Sequence, residues 1–128
     1  MLLPCEVAVK SLVPALRCAI AKELSQTYGL KQKDVANLIG VTQTAVSKYL
    51  RYVRGTTIKI DEIEEVKPML KEIVVSLFER SISRYELVAK FCILCKIIRR
   101  KGLMCNLCKM SNPSIDIQQC YVCSSSYP

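Results

Sequence analysis

Apolar residues recur at helical spacing along most of the chain, and they predict a mainly α-helical fold. The clearest pattern lies in residues 32–50, where two short apolar faces stand on either side of Gly40. The first face holds Val35, Leu38 and Ile39, and the second holds Val46, Tyr49 and Leu50. Glycine accepts the positive φ that a sharp turn requires, and the Thr42 hydroxyl can cap a following helix. The stretch therefore predicts two short helices joined by a tight turn.

Longer helical patterns flank this pair of helices. Pro14 suits the first turn of a helix that continues to Tyr28 and ends at Gly29. Residues 81–100 predict an apolar helix that ends at Gly102. Residues 1–10 fit either a strand or a first helical turn, and residues 56–60 fit either a linker or a short strand.

Residues 61–80 carry an apolar seam whose members are three or four residues apart: Ile63, Val66, Leu70, Ile73 and Leu77. Such a seam predicts a helix that packs along its length on a partner. Pro68 either kinks this helix or starts a second one. The seam could cover the N-terminal helices of the same chain, but we favour the interpretation that it joins two copies of the chain.

The polar side of the second short helix has an unusual composition. Gln43, Thr44 and Ser47 point outwards, and Lys48 and Arg51 follow. Short and amide-bearing side chains followed by basic ones are typical of a helix that enters the DNA major groove. The net charge of +8 also favours an anionic partner. The alternative is an ordinary helical hairpin within a bundle.

Four segments together resemble a known class of DNA-binding protein. They are PCEV at residues 4–7, LVPALR at 12–17, GLKQKDVANLIGVTQTAVSKYL at 29–50 and RG at 54–55. The third resembles the helix-turn-helix of the lambda-repressor/Cro-like, or XRE-type, class. With its flanks the chain resembles small archaeal transcription regulators that have a C-terminal cysteine-rich motif. The expected partner is double-stranded DNA, contacted by Gln32, Thr42, Gln43, Thr44, Ser47, Lys48, Arg51 and Arg54.

Six of the eight cysteines form three C-x2-C pairs near the C-terminus: Cys92/Cys95, Cys105/Cys108 and Cys120/Cys123. Two such pairs supply the four thiolates of a zinc site or of an iron–sulfur cluster. Disulfides are a rival, although they are rare in the cytosol. Cys5 and Cys18 stand apart from the pairs, and we expect both to be buried thiols.

The archaeal regulators that the chain resembles share a C-x2-C pair, then an arginine, a glycine and a further cysteine. Here these positions fall on Cys92, Cys95, Arg99, Gly102 and Cys105, and Cys108 completes a set of four thiols. We favour a four-iron four-sulfur cluster on Cys92, Cys95, Cys105 and Cys108 over zinc. The second choice of ligands includes Cys120 and Cys123, since the last two pairs bracket a turn signal and could form a small zinc ribbon.

Several classes of function are disfavoured. The chain has no histidine, no glycine-rich phosphate loop and no nucleophile–base pair, so we expect neither an enzyme nor a small-molecule substrate. A thiol–disulfide oxidoreductase is a weak alternative, because no thioredoxin-like pattern surrounds the cysteines. We find no convincing targeting segment and no apolar run of 18 residues, so we expect a cytoplasmic protein without membrane contact.

These patterns divide the chain into three expected parts. Residues 1–55 form a helix-turn-helix DNA-binding domain, residues 56–85 a connecting and dimerisation helix, and residues 86–128 a cysteine-rich metal or cluster module. The expected function is that of a homodimeric transcription regulator that senses redox state or iron through its cluster. The alternative is a zinc-stabilised DNA-binding or adaptor protein in which the cysteine module is structural.

Overall fold

The structure is a computed structural model that describes residues 3–51 and 58–123, apart from the side chains of Pro4 and Asp61. Its helices are α1 (Pro4–Lys10), α2 (Leu12–Gln26), α3 (Gln32–Ile39), α4 (Gln43–Leu50), a 3-10 helix (Ile60–Glu62), α5 (Lys67–Phe78), α6 (Arg84–Arg100) and α7 (Cys105–Ser111). The described residues contain no β-strand. The expectation of a mainly helical fold is confirmed. Residues 4–10, for which the sequence fitted either a strand or a helical turn, form helix α1.

Helix α2 is the central element of the fold. It packs against α1, α3, α4, the 3-10 helix, α5 and α6. Its apolar residues Leu12, Leu16, Ile20 and Leu24 are fully buried. The helix ends at Gln26, earlier than the sequence pattern predicted, and the Leu30 N–H donates to the Leu24 carbonyl to close the turn (3.1 Å). Burial of these four large aliphatic side chains contributes hydrophobic stabilisation.

Helices α3 and α4 have the predicted bounds and the predicted turn. Gly40 follows α3 with φ 72° and ψ 37°, which is the left-handed conformation expected there. The N–H groups of Gly40 and Val41 both donate to the Ala36 carbonyl, at 2.9 and 3.1 Å. Thr42 Oγ1 accepts from the Ala45 N–H at 3.1 Å and caps α4. Local hydrogen bonds thus set where one helix stops and the next begins.

The apolar seam of residues 61–80 lies inside the chain's own core. Pro68 stands in the first turn of α5, so it starts a helix and does not kink one. Val66, Leu70, Ile73 and Leu77 are buried, and α5 packs against α2, α3 and α6. These four side chains are therefore not available to a second copy of the chain, and the seam covers the N-terminal helices instead. Homodimerisation itself stays a prediction.

Helix α6 joins the end of α5 to the cysteine-rich tail. The Ser83 Oγ caps its start by accepting from the Glu86 N–H (3.2 Å), and Gly102 ends its last turn with φ 74°. Two ion pairs fix it beside α5 and the segment before it: Lys90 Nζ to Glu72 Oε1 (2.6 Å) and Lys101 Nζ to Glu65 Oε1 (2.7 Å). Lys90 of α6 and Lys101 directly after it thereby pair with Glu72 and Glu65.

The three expected parts share one core. Buried residues from Val7 in α1 to Met104 before α7 form one hydrophobic cluster. The expected boundary after residue 85 falls in the first turn of α6, and the boundary after residue 55 lies outside the described residues. Among the described helices, none has both the length and the apolar composition needed to cross a membrane.

Candidate nucleic-acid interface and cysteine cluster

The polar side of α4 forms a surface that we call the reading face: Gln43, Thr44, Ser47, Lys48 and Arg51. Its opposite side is held in the core by Ala45, Val46 and Tyr49, which are buried. Gln43, Thr44 and Arg51 are exposed, whereas Ser47 and Lys48 are half-buried. Because the buried side fixes the rotation of α4, the reading face is presented to solvent as one surface.

The charge of this surface suits an anionic partner. Helix α4 contains no acidic residue, and the nearest acidic side chain along the sequence is the half-buried Asp34 of α3. The guanidinium of the exposed Arg84, at the start of α6, lies directly against Gly40 in the turn that precedes α4. Sequence spacing gave no hint of Arg84, which is 44 positions from the turn and reaches it only through the packing of α6.

The remaining predicted DNA contacts have different surroundings. Gln32 is half-buried at the first position of α3. The Thr42 hydroxyl already accepts the Ala45 N–H, so its main role in the structure is that of a helix cap. Arg54 lies outside the described residues.

The cysteine-rich tail surrounds a cavity of about 180 Å³, which we call the cysteine cavity. Cys105 and Cys108 of α7 line it together with Cys120 and Cys123 of the following segment. Its remaining wall is formed by Arg99, Arg100, Gly102 and the apolar side chains of Val7, Met104, Ile115 and Ile117. The second and third C-x2-C pairs therefore face one largely apolar space.

Short hydrogen bonds shape the segment that returns Cys120 and Cys123 to the cavity. Helix α7 ends at Ser111, and the Lys109 ammonium donates to the carbonyls of Pro113 and Ile115, both at 2.7 Å. The Asp116 carbonyl then accepts from the Cys120 N–H at 3.1 Å. The turn predicted from residues 111–113 is present, and it reverses the chain so that the third cysteine pair meets the second.

Arg99 connects the cavity to the N-terminal helix. Its Nε donates to Cys123 Sγ at 3.3 Å, and its Nη1 donates to Cys5 Sγ at 3.8 Å. Burial lowers the pKa of Arg99, but its hydrogen bond to Cys123 and the nearby Cys5 outweigh that effect and leave the pKa raised. The guanidinium thus stays charged and contacts the sulfur atoms of both Cys5 and Cys123.

The thiols of α1, α6 and the tail fall into two groups, according to which other thiols lie near each of them. Burial raises the pKa of Cys108, and the nearby Cys123, Cys105 and Cys120 raise that pKa further. Burial also raises the pKa of Cys95, but there the additional thiols are Cys92 and Cys5. Cys108 therefore belongs with the cavity thiols, whereas Cys95 belongs with Cys92 and Cys5.

This grouping differs from the first expected ligand set. Cys92 and Cys95 are not among the residues that line the cysteine cavity, whereas Cys105 and Cys108 are. Across residues 3–51 and 58–123, no three cysteine, aspartate or glutamate side chains are arranged to hold a metal ion. The donor set fits a four-thiolate centre in kind and number, but the thiols must rotate before they converge on one point.

The two isolated cysteines behave differently from each other. Cys18 is buried, as expected, and its Sγ donates to the Tyr49 carbonyl at 3.5 Å. The expectation that Cys5 is buried is wrong. Val7 and Ala8 face the core from α1, and Cys5 lies on the exposed side of that short helix, within reach of Arg99.

Comparisons of the chain with protein-family models, with curated proteins and with solved structures find no match. The likeness to archaeal helix-turn-helix regulators accordingly remains an expectation from the residues themselves.

Proposed function

We propose that this protein is a cytoplasmic, DNA-binding transcription regulator with a helix-turn-helix reading head. The observation that carries the proposal is the reading face on α4. It combines exposed amide and hydroxyl groups, which suit the edges of base pairs, with basic groups, which suit phosphates. The left-handed turn at Gly40 and the Thr42 cap support this role, because they hold α4 at a defined angle to α3.

The proposal is tested with a gel-shift assay on a selected pool of DNA sequences. Gln43→Ala and Ser47→Ala are expected to change sequence preference, by roughly 1–3 kcal/mol for each lost base contact. Lys48→Ala is expected to weaken binding to all sequences and to reduce the salt slope by about one. Lys71→Ala removes the same charge from the exposed side of α5 and serves as the matched control.

Three outcomes would contradict the proposal. Equal losses from Lys48→Ala and Lys71→Ala would mean that net charge alone attracts DNA. Salt-independent binding of a protein partner, with no binding of DNA, would favour the adaptor alternative. Turnover in a dithiol reduction assay would instead favour a thiol–disulfide oxidoreductase.

The cysteine module contributes a four-thiolate centre on Cys105, Cys108, Cys120 and Cys123. The shared cavity of these four thiols supports that set over the one that includes Cys92 and Cys95. The positive charge of Arg99 beside Cys123 offsets part of the negative charge of four thiolates. The apolar wall supports an iron–sulfur cluster, which is shielded by such surroundings. The tight turn between the pairs favours zinc as the second candidate.

Metal and sulfide analysis of anaerobically purified protein tests the centre. Iron with inorganic sulfide and a broad visible absorbance would indicate a cluster, and zinc in a colourless protein would indicate a structural site. Cys120→Ser is expected to release the metal, whereas Cys92→Ser is expected to retain it. Loss of the metal in Cys92→Ser but not in Cys120→Ser would instead favour the ligand set of Cys92, Cys95, Cys105 and Cys108.

A cluster bound here would supply redox chemistry, and α6 offers a route from it to the reading head. This helix has Arg84 against the turn at Gly40 and Arg99 at the cysteine cavity, 15 positions later. Loaded and metal-free protein are therefore expected to differ in affinity for the same DNA. Arg84→Ala should reduce that difference while leaving metal content unchanged. Equal affinities in the unmodified chain would leave the cysteine module structural.

The regulator acts as a homodimer that reads two half-sites. Because the α5 seam is buried, the dimer must use another surface. Tyr85 and Val88 in the first half of α6 are exposed and one helical turn apart, and we take them as the candidate contact. Val88→Glu should give a monomer in analytical ultracentrifugation with unchanged helix content. A monomeric unmodified chain, or a dimer indifferent to this change, would contradict the assignment.

A further inference from the structure

Three thiols do not line the cysteine cavity and are not among the buried residues of the hydrophobic core. Cys5 lies on α1 and is exposed, Cys92 lies on α6 and is exposed, and Cys95 lies one helical turn after Cys92 and is half-buried. The proposed DNA-binding function and its four-thiolate centre use none of these three side chains.

The contacts of Arg99 place these thiols in one neighbourhood. Arg99 is four residues after Cys95, so both project from the same side of α6. Its Nη1 is 3.8 Å from Cys5 Sγ, which brings α1 to that side of the helix. Cys92 is three residues before Cys95 and is therefore its neighbour on the helix surface.

The exposed side chains of Cys5 and Cys92 are free to move towards Cys95. As they stand, the sulfurs are not arranged to hold an ion. Cys5 and Cys92 are both exposed, and exposed side chains exchange readily between staggered rotamers. The guanidinium of Arg99 already lies beside Cys5 and can offset the charge of a thiolate site.

We propose that Cys5, Cys92 and Cys95 form a second metal site, which binds a soft monovalent ion of the copper(I) class. Thiolate ligands select soft ions, and the absence of histidine from the chain makes the site purely sulfur-based. Structural zinc sites are closed by four ligands, whereas this group supplies three. The inference rests on the proposed function only in that the four cavity thiols are assigned to another centre.

The test is an anaerobic titration of zinc-loaded protein with copper(I) in competition with a chromogenic chelator. One equivalent of copper(I) is expected to bind without release of zinc. Cys5→Ser and Cys92→Ser should each weaken that binding at least about tenfold, since even the loss of an outer-sphere partner of a metal costs that much. Cys18→Ala changes a thiol remote from the site and serves as the control. Circular dichroism checks that each variant is folded.

The possible results separate this site from the cavity centre. Absence of a copper equivalent, or binding that survives both serine changes, would overturn the inference. So would copper binding that is lost in Cys120→Ser but not in Cys5→Ser, because the copper would then occupy the cavity. Displacement of copper by zinc at an equal concentration would overturn the choice of a soft ion. If the cavity takes no zinc, copper binding that depends on Cys5 would still support the second site.

Discussion

Replacing Gly40 by alanine is expected to destabilise the protein by about 1 kcal/mol, and the reason is the backbone of the turn between α3 and α4. Gly40 has φ 72° and ψ 37°, a left-handed conformation that costs roughly 1–2 kcal/mol for a residue with a Cβ. Alanine also restricts the unfolded chain, which returns about 0.4–1 kcal/mol. The difference between these two effects is the expected net loss of stability.

The neighbouring Arg84 adds a second and smaller effect. A Cβ on Gly40 would collide with the Arg84 guanidinium. Because Arg84 is exposed and its side chain is flexible, it can swing away at little cost. We therefore expect Gly40→Ala and Arg84→Ala to be nearly additive in a double-mutant cycle, within about 0.5 kcal/mol.

Urea and thermal unfolding followed by circular dichroism measure these changes. A loss of about 1 kcal/mol corresponds to a fall in Tm of about 4 °C for a chain of this size. Gly40→Asn is the matched control, since asparagine tolerates the left-handed conformation better than alanine does. Unchanged stability of Gly40→Ala would refute the backbone argument. A coupling energy between Gly40→Ala and Arg84→Ala well above about 0.5 kcal/mol would show that the collision with Arg84 dominates.

Three other substitutions and one alkylation experiment test separate parts of the structure. Ile73→Ala should lower the free energy of unfolding by about 2–5 kcal/mol at any protein concentration, because this side chain is fully buried within one chain. A loss of stability that disappears at high protein concentration would instead place Ile73 in a dimer interface. Arg80→Gly should stabilise the protein, by up to about 1 kcal/mol, because Arg80 has φ 55° at the end of α5, and a loss of stability in urea would contradict this. Thr42→Ala should cost about 1 kcal/mol by removing the α4 cap, and Thr42→Ser should restore most of it. In metal-free protein near neutral pH, Cys95 should be alkylated more slowly than the exposed Cys92, because a raised pKa leaves less reactive thiolate. Equal alkylation rates of the two thiols, measured by mass spectrometry, would argue against the burial of Cys95.

Local sequence was enough to predict helices α3 and α4. The bounds of α3 and α4, the positive φ of Gly40 and the Thr42 cap all depend on groups within four residues of one another. Hydrogen bonds of this range are encoded by short patterns, which is why they could be read without a structure. The ends of α2 and α5 were predicted less well, because the turn at Leu30 and the 3-10 helix are shaped by packing on the core.

Long-range packing decided which surfaces and which thiols meet. A heptad seam on α5 is equally suited to a second copy of the chain or to α2, because spacing describes the apolar face and not its partner. Likewise, three C-x2-C pairs can be combined in several ways, and the choice depends on where the turn after α7 directs Cys120 and Cys123. Cys5 shows the same limit: its approach to Arg99 spans 94 positions of sequence and arises only when α1 packs beside the cysteine-rich tail.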